Sequence, residues 1–453
     1  MRRANSQIGT GNGIHHPARN RNDNARWDLY LKKLTSRPLL YQPHADLPAE
    51  IGNQLFARHL PAHPIKLRAL NSPAFNPEVT TNMKVAFVLP NLFPFAGAEI
   101  VALRLAHALS ARGIEVDFVL GWEPADLTGY LPEGSRLINL GGKRTRELLW
   151  PLRRYFREAQ PDGVIVSLWP LTCTAIIARF LAGSKTAVLV SDHNMLSIQY
   201  ADKGFFGRLA LLCTMGLTYP FAKARVAVSD GVAHDLARVS LLPFSKFSVV
   251  HNPVAAISAE LRDATAVEKL WRGWKGPRIL TVGRFKRQKN HALLIRSFKA
   301  LLSDLDARLM IVGTGEDEEA IKRLVLVEGV ADRVFFAGQT DDTAPYYLSA
   351  DLFVLSSDYE GFGNVIVEAL AGGLRVVSTD CRSGPAEILE NGRYGRLVPV
   401  GDAAALTRAM REILDAPHDS ELARRRAKDF LPELIAEQYL RLMFPQVPKE
   451  LDL

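Results

Sequence analysis

Short apolar runs alternate with longer segments of helical periodicity along most of this chain. Runs of four to six residues rich in Val, Ile, Leu and Phe are typical of strands that are buried on both faces of a sheet. Strands that alternate with helices predict a parallel, doubly wound sheet, because each parallel connection requires a crossover. The runs that we predict to be strands are Lys84–Leu89, Glu115–Leu120, Gly163–Ser167, Ala187–Ser191, Ala224–Ser229, Arg278–Val282, Arg308–Val312, Arg333–Ala337, Asp351–Leu355 and Arg375–Ser378.

A break in this alternation divides the chain into two halves. The strand and helix pattern stops after Asn252 and Pro253, and it begins again near residue 276. We therefore predict an α/β protein with two Rossmann-like domains, residues 83–254 and 276–430, joined by a linker over residues 255–275. Two such domains enclose a cleft, which is where a ligand is expected to bind.

Residues 1–82 differ from the remainder in composition and charge. They are rich in Asn, Pro, His and Arg and show no sustained period. They carry 11 Lys and Arg against 5 Asp and Glu, whereas the remainder carries 45 against 43, so most of the net charge of +8 belongs to this segment. The charge is therefore no argument for a nucleic-acid partner. We expect residues 1–82 to be a disordered extension or an over-long gene assignment, because Met83 opens the first predicted strand.

The composition favours a protein of the cytoplasm that at most touches the inner face of the membrane. Three cysteines, Cys173, Cys213 and Cys381, are too few and too scattered for a disulfide framework or a zinc site. The longest uncharged apolar stretch, Leu209 to Ala222, has 14 residues and contains a proline. A membrane-spanning helix requires about 20 residues, so this stretch is too short.

The glycine loop that begins at Glu360 and leads to Glu368 is the most informative local motif. It follows the buried run Leu352–Leu355, and the glycines at 361 and 363 argue against one continuous helix. We therefore interpret it as a turn from a strand into a helix. Such a turn lies at the carboxyl end of its strand, where ligands bind, and the free amides of the helix start favour an anion. The segment can hold the diphosphate of a nucleotide sugar.

Two basic residues follow the first strand of the second half. Arg284 lies two residues beyond the predicted end of that strand, and Lys289 lies five residues further. Cations of this kind stabilise a doubly charged diphosphate. A solvated basic loop is the alternative interpretation for the cluster taken alone.

In their order along the chain, these motifs resemble the retaining glycosyltransferases of the two-Rossmann-domain (GT-B) fold, specifically glycosyltransferases group 1, family 4. The resemblance extends from Met83 to the C-terminus. The motifs that carry it are Gly97-Ala98-Glu99, Asp192-His193-Asn194, Val228-Ser229, His251-Asn252-Pro253, Val282-Gly283-Arg284-Phe285 with Lys289, Gly313-Thr314-Gly315, Glu360 to Glu368, and Ser383-Gly384-Pro385 with Glu387.

The resemblance implies a role for each matching residue. Arg284 and Lys289 would hold the diphosphate and stabilise the leaving nucleoside diphosphate. Glu368 would accept hydrogen bonds from the two ribose hydroxyls, and Glu360 would lie near the donor sugar and its phosphate. His193 would face the donor sugar and position the acceptor hydroxyl. The other residues that would bind the donor are Gly97, Gly313, Gly361, Phe362, Gly363 and Asn364.

The implied activity is a metal-independent, retaining transfer that uses no cofactor. A hexose or N-acetylhexosamine would move from a nucleotide-diphosphate sugar, with a UDP-sugar favoured, to a glycan or polyprenyl-diphosphate-linked acceptor in surface polysaccharide or lipopolysaccharide biosynthesis. Asp304 and Asp306 form the D-x-D string of metal-dependent relatives. They precede the strand Arg308–Val312, so we place them at its amino end, away from the cleft, and expect no metal site.

Two other functions remain open at the level of the sequence. A nucleotide-sugar epimerase uses the same double-Rossmann scaffold and needs no acceptor. A non-catalytic protein that binds nucleotide sugars would also retain the fold. The resemblance further implies that residues 431–453 contain a helix that crosses back onto the first domain.

The segment of residues 143–157 predicts a contact with an anionic membrane. It has six basic residues and one acidic residue, with Trp150, Tyr155, Phe156 and three leucines between them. A basic amphipathic helix with aromatic residues lies readily on an anionic lipid surface. The alternative is an ordinary surface helix whose apolar stripe faces the core.

Overall fold

The strands form two separate parallel sheets in the computed structural model, which describes residues 83–92, 97–122, 127, 129–257, 264–340 and 342–446. Over these residues the first sheet has seven strands in the order β3-β2-β1-β4-β5-β6-β7, and the second has six in the order β10-β9-β8-β11-β12-β13. The strands are β1 Lys84–Leu89, β2 Glu115–Leu120, β3 Arg136–Asn139, β4 Gly163–Ser167, β5 Ala187–Asp192, β6 Ala224–Ala227, β7 Ser248–Val249, β8 Arg278–Val282, β9 Arg308–Val312, β10 Val334–Gly338, β11 Leu352–Leu355, β12 Arg375–Thr379 and β13 Arg396–Val398.

Helices cover both faces of each sheet. None of the described helices is both long and apolar enough to span a membrane. The helices are α1 Gly97–Ser110, α2 Leu149–Glu158, α3 Leu171–Ala182, α4 Leu196–Gln199, α5 Gly204–Thr218, α6 Asp230–Ser240, α7 Ala264–Leu270, α8 His291–Leu301, α9 Glu318–Val327, α10 Ala344–Ser349, α11 Asn364–Ala371, α12 Pro385–Ile388, α13 Ala403–Asp415, α14 Ser420–Lys428 and α15 Pro432–Met443.

The two sheets confirm the predicted α/β fold with two Rossmann-like domains. All ten predicted strands are present, with ends that differ by two residues at most. Three further strands, β3, β7 and β13, were not predicted. They lie at or near sheet edges, are two to four residues long and are partly exposed, so they lack the continuous apolar run that marks a central strand. The expectation for residues 1–82 lies outside the described residues.

The order of strands in each sheet reverses beside its first strand, because β1 lies between β2 and β4, and β8 lies between β9 and β11. Helices that follow neighbouring strands then leave on opposite faces, which opens a crevice at the carboxyl ends of the strands. The loops after β1, β5, β8 and β11 therefore all reach the crevice side of their sheet. These loops carry most of the residues that the sequence singled out.

Side chains of β1 alternate between two cores. Val85 and Phe87 pack in the cluster that contains α1, whereas Ala86 and Val88 pack in the cluster that contains α2 and α3. Both faces of this central strand are buried, because the alternation of a strand sends successive side chains to opposite sides of the sheet. This packing explains the unbroken apolar sequence of the strand.

The last helix, α15, packs on the first sheet beside α1. Its buried side chains, among them Ile435 and Tyr439, belong to the same core cluster as β1 and α1. The hydroxyl of Tyr439 lies 2.8 Å from Ser191 Oγ on β5, and Arg112 forms an ion pair with Glu437 at 2.9 Å. The chain thus passes through the second sheet and returns to complete the core of the first.

This return predicts that the first domain depends on α15 for its stability. Replacing Ile435, which is fully buried, with Ala removes methylene groups from the shared core and should lower the free energy of unfolding by about 2 to 5 kcal/mol. The neighbouring Leu434 is 45% exposed, so Leu434→Ala should change it by less than about 0.5 kcal/mol. Urea denaturation monitored by fluorescence measures both. Equal losses for the two variants would contradict this packing.

Candidate active site

The two domains meet where the loop after β11 lies against the loop after β5. A Cβ atom added at Gly361 would lie 1.9 Å from the carbonyl oxygen of His193, a distance at which no side chain can exist. Only glycine allows the two backbones to approach this closely. The predicted donor loop and the predicted acceptor histidine are therefore in direct backbone contact.

Hydrogen bonds fix this contact from both domains. The hydroxyls of Ser229 and Ser383 both donate to the carbonyl oxygen of Gly361, at 2.6 and 2.7 Å. The carboxylate of Glu387 accepts hydrogen bonds from the backbone N–H of Asp230, at 3.0 and 3.1 Å, and lies 3.3 Å from His251 Nε2. The sequence motifs around residues 229, 251 and 383 thus form an interdomain seam, a role that sequence reasoning had not assigned to them.

Lys289 and Glu360 form an ion pair at the base of the crevice. The ammonium group of Lys289 donates to Glu360 Oε1 at 2.7 Å, and the Ser357 hydroxyl donates to the same oxygen at 2.6 Å. The Glu360 side chain is 8% exposed and the Lys289 side chain is 19% exposed. The structure thus brings together two residues that lie 71 positions apart in the sequence and that were predicted to share the site.

The loops that carry this pair are tied to each other by further hydrogen bonds. The side-chain amides of Gln288 and Asn290 donate to the Tyr359 carbonyl and to Asp358 Oδ1, each at 2.7 Å. Asn290 has a positive φ of 45° and caps the start of α8 through its side chain. These contacts hold the Lys289 ammonium in one place without help from a ligand, as a preorganised site requires.

Arg284 lies on the open side of the same loop, facing the start of α1. Its side chain is exposed and forms no ion pair or hydrogen bond with the described residues. Burial raises the pKa of Glu99 in the first turn of α1, while the backbone N–H of Glu99 and the positive charge of Arg284 oppose that rise. A Cβ atom added at Gly97 would meet nothing within 4 Å. Among the described residues, the space beside the helix start is therefore open, and the Arg284 cation lies close to it.

Glu368 uses both of its carboxylate oxygens within the protein. Arg104 on α1 donates to Oε1 at 3.0 Å, and the hydroxyl of Tyr347 donates to Oε2 at 3.0 Å. Arg104 also donates to the carbonyl of Pro253 at 3.1 Å. Sequence reasoning missed Arg104, because it lies in the middle of an ordinary amphipathic helix and no local pattern distinguishes it.

The remaining residues of the glycine loop have mainly structural contacts. The Phe362 ring is 2% exposed and packs against His251 and Phe430, with ring centroids 5.1 and 5.6 Å apart. Asn364 Oδ1 accepts a hydrogen bond from the Asn252 side chain at 2.8 Å. The side chain of Phe362, which was predicted to bind the donor, therefore lies in the core, so only its backbone is available to a ligand.

Two predicted glycines adopt conformations that favour glycine. Gly363 precedes α11 with a φ of 103°. Gly313 has a φ of 138°, and a Cβ atom there would lie 2.1 Å from the Gly283 carbonyl oxygen. Gly313 thus lets the loops after β8 and β9 touch, which supports the position of Arg284 from behind.

A pocket of about 220 Å³ opens beside His193 in the first domain. Its walls include the aromatic side chains of Trp122, Trp169 and Tyr200 together with Asp192 and His193. Trp169 and Tyr200 pack edge to face with ring centroids 4.8 Å apart. The pocket combines flat apolar walls with a few polar groups, which is the usual composition of a site for a small polar ligand.

His193 is buried at the inner end of this pocket. Its Nε2 lies 3.4 Å from the hydroxyls of Ser167 and Ser191, and its Nδ1 has no hydrogen-bond partner among the described residues. Burial lowers the pKa of His193 to about 4, a shift that the neighbouring Asn252 side chain opposes. The imidazole is therefore neutral at pH 7, and its Nδ1 is buried beside the Asn252 side chain.

Asp192 lines the same pocket and has an unusual protonation equilibrium. The Tyr219 hydroxyl lies 2.8 Å from Asp192 Oδ2 and 3.1 Å from Thr172 Oγ1. Burial raises the pKa of Asp192 to about 7, and the hydrogen bond from Tyr219 opposes the rise. Near neutral pH this pocket thus contains a carboxyl group that is partly protonated. No group of three or more His, Cys, Asp or Glu side chains is positioned to hold a metal ion among the residues described by the structure.

The shifted pKa of Asp192 predicts a pH-dependent contribution to stability. An unfolded Asp ionises near pH 3.9, while the folded carboxyl keeps its proton up to about pH 7. The native state therefore binds more protons in this window, and the stability that Asp192 contributes falls as the pH rises, by at most about 1.4 kcal/mol per unit. The difference in unfolding free energy between the wild type and Asp192→Asn should decline from about pH 4 to 7.

Urea denaturation at several pH values measures this difference in unfolding free energy. The titration of all other groups cancels in it, because they are the same in both proteins. Tyr219→Phe removes the hydrogen bond that opposes the shift, so the decline should extend to higher pH in that background. Parallel stability curves for the wild type and Asp192→Asn would show that Asp192 ionises normally in the folded protein.

Sequence profiles of known families match both halves of the chain. The profile described as Glycosyltransferase Family 4 matches residues 95–256, and the profile described as Glycosyl transferases group 1 matches residues 276–416. The two matches cover strands β2 to β13 and the loops after β5, β8 and β11, whereas β1 precedes the first match.

Individual relatives match more than half of this chain. The chain is 30% identical to the N-acetylgalactosamine-N,N'-diacetylbacillosaminyl-diphospho-undecaprenol 4-alpha-N-acetylgalactosaminyltransferase of Campylobacter jejuni, over 59% of this chain and 72% of the relative. It is 29% identical to the lipopolysaccharide core biosynthesis glycosyltransferase LpsE of Rhizobium meliloti, over 77% of this chain and 95% of the relative. The crystal structure of Anabaena HepE in complex with UDP and glucose superposes with a TM-score of 0.67 at 19% identity, over 81% of this chain and 100% of that one. The chain therefore belongs to the group 1, family 4 glycosyltransferases of the GT-B fold, and it is a transferase.

Proposed function

We propose that this glycosyltransferase moves a hexose or N-acetylhexosamine from a UDP-sugar to a lipid-linked glycan in surface polysaccharide or lipopolysaccharide biosynthesis. In this proposal the transfer retains the anomeric configuration and requires no metal ion. The observation that carries the proposal is the convergence of Lys289, Arg284 and the start of α1 on one crevice beside the His193 pocket.

The charges of the crevice suit a diphosphate. The Lys289 ammonium has three N–H donors and uses one for Glu360, so two remain for phosphate oxygens. Arg284 is exposed and unpaired among the described residues, and the start of α1 carries the partial positive charge of a helix N-terminus, which attracts an anion. Together these groups would stabilise the negative charge that develops on the leaving UDP, which is the role that a metal ion has in other transferases.

In this proposal Glu368 binds the ribose of the nucleotide. A carboxylate has about four lone-pair sites, and Tyr347 and Arg104 occupy two of them. The ribose hydroxyls would use the remaining sites or displace Arg104, whose other hydrogen bond goes to Pro253. HepE, which shares the fold, was crystallised with UDP, and this supports uridine as the base.

The pocket beside His193 would receive the acceptor sugar. Its aromatic walls offer flat apolar surfaces for the C–H face of a sugar ring, and Asp192 and His193 offer hydrogen-bond partners for its hydroxyls. The neutral imidazole would position the hydroxyl that attacks the donor sugar. A diphospho-undecaprenol acceptor appears in the name of the Campylobacter relative, and lipopolysaccharide core synthesis in that of the Rhizobium relative, which supports a lipid-linked acceptor.

This pocket also favours transfer over epimerisation. An epimerase isomerises the donor alone and needs no second binding site. The pocket lies in the first domain, on the opposite side of the seam from Lys289 and Glu360, where an acceptor would meet a donor held by the second domain.

Arg284 offers a direct test of the diphosphate site. Arg284→Ala removes an unpaired cation beside the leaving group and should lower kcat/KM by about 100-fold or more. Arg287 lies in the same loop, is also exposed and carries the same charge, so Arg287→Ala is the matched control. The assay is UDP release from a panel of UDP-sugars in the presence of a short-chain polyprenyl diphosphate sugar. If both variants are as active as the wild type, the diphosphate lies elsewhere.

Glu368 and Arg104 offer a test of the ribose site. Glu368→Gln removes a charged acceptor and should weaken UDP binding by about 10- to 100-fold. Arg104→Gln removes the protein group that competes for this carboxylate, so UDP should bind as well as before or more tightly. Isothermal titration with UDP measures both affinities. Unchanged UDP affinity in Glu368→Gln would remove Glu368 from the donor site.

A further inference from the structure

Residues 143–157 do not present an apolar face to solvent. In this segment Leu148, Leu152, Tyr155 and Phe156 are buried in the core, so its apolar stripe faces inward. Of its large apolar side chains, only Trp150 is strongly exposed, at 63%. The segment therefore contributes cations and one aromatic ring to the surface, and it cannot by itself insert an apolar face into lipid.

Helix α5 presents the apolar surface that this segment lacks. Over Gly204–Thr218 it has one charged residue, Arg208, and its inward side is already filled by Leu211 and Met215. Yet its outward side is also apolar, with Phe205 and Phe206 exposed by 73% and 83%. A helix that is apolar all round is normally buried on all sides, so its outward side is expected to have a binding partner.

The exposed apolar side chains continue across three neighbouring helices. α3 packs against both α2 and α5, and Arg153 on α2 donates a hydrogen bond to the carbonyl of Leu181 at the end of α3 at 3.1 Å. Five of the six strongly exposed Trp and Phe side chains among the described residues lie on or beside these helices. We call this surface the apolar face, and it consists of Trp150, Phe180, Phe205, Phe206, Leu217 and Phe221.

The charges around the apolar face match an anionic partner. Residues 171–225 contain six Lys and Arg but only two Asp and Glu, of which Asp192 is buried. A second pocket, of about 380 Å³, is lined by Phe221, by the cations Arg179, Lys185 and Lys223, and by one carboxylate, Asp162. Protein interfaces are depleted in Lys, whereas exposed aromatic rings with Lys and Arg around them are typical of surfaces that bind anionic lipid.

The apolar face is continuous with the His193 pocket. Trp169 lines this pocket and donates through Nε1 to Thr214 Oγ1 on α5 at 3.0 Å. Gln199 and Tyr200, which also line it, lie four to five residues before α5. A bilayer in contact with α5 would thus bring lipid headgroups close to the pocket, and this step alone rests on the proposed lipid-linked acceptor.

We propose that the apolar face docks on an anionic membrane, with Phe205 and Phe206 inserted at the level of the headgroups and the flanking cations on lipid phosphates. Vesicle flotation of the full chain tests this. The protein should float with vesicles of phosphatidylglycerol and phosphatidylethanolamine and not with phosphatidylcholine alone. The double variant Phe205→Ser with Phe206→Ser should reduce the bound fraction by about tenfold or more, since two buried rings are lost.

Matched controls lie in the second domain. Leu326 and Val327 on α9 are exposed by 68% and 73%, so Leu326→Ser with Val327→Ser should float like the wild type. Lys203→Glu with Arg208→Glu should abolish flotation with anionic vesicles, while Arg408→Glu, an exposed cation of α13, should not. Thermal unfolding checks that every variant is folded.

Three outcomes would overturn the docking proposal. The wild type could fail to float with anionic vesicles, or the phenylalanine variant could float equally well. The third is a wild-type dimer in sedimentation that the phenylalanine variant dissociates, because the face would then bind a second copy of the chain. Flotation needs neither donor nor acceptor, so a failed transfer assay and a failed flotation assay are independent results.

Discussion

The backbone contact between Gly361 and His193 is the constraint on which the rest of the site depends. It places the glycine loop after β11 against the loop after β5, which leads into the His193 pocket, with no side chain between them. The Ser229 and Ser383 hydroxyls satisfy the Gly361 carbonyl from the two domains at once. Both sheets thereby contribute loops to one candidate site, and the backbone contact between those loops tolerates only glycine at position 361.

The ion pair of Lys289 and Glu360 is better explained by function than by stability. A nearly buried pair gains little for the fold, because the cost of removing both charges from water offsets their attraction. The pair holds the Lys289 ammonium group near the carboxyl end of β8, and the Ser357 hydroxyl supports it by a hydrogen bond to Glu360. Glu368 is in a comparable state, since Arg104 and Tyr347 orient its carboxylate before any nucleotide binds. Both acidic residues of the motif are therefore positioned by the protein itself.

The first domain combines a polar pocket and an apolar surface through one helix. On its inner side α5 packs on the core and supports the pocket wall through Thr214, and on its outer side it exposes Phe205 and Phe206. The sequence drew attention to residues 143–157, where charged and aromatic residues occur together, whereas the apolar stretch that overlaps α5 was judged only as too short to span a membrane. Exposure is a property of the packed molecule, and no local pattern reports which apolar helix remains uncovered.

The sequence by itself determined the two parallel sheets, ten of the thirteen described strands, the family and the segments that carry Arg284, Lys289, Glu360 and Glu368, because strand periodicity, turn glycines and ordered motifs are local signals. The sequence did not predict short edge strands such as β3, because their exposed side chains lack the apolar pattern of a buried strand. The tertiary structure alone decided that Phe362 is a core residue, that Arg104 pairs with Glu368 and that His193 meets Gly361. These contacts join residues that are far apart in the chain, and the packing of two domains selects them.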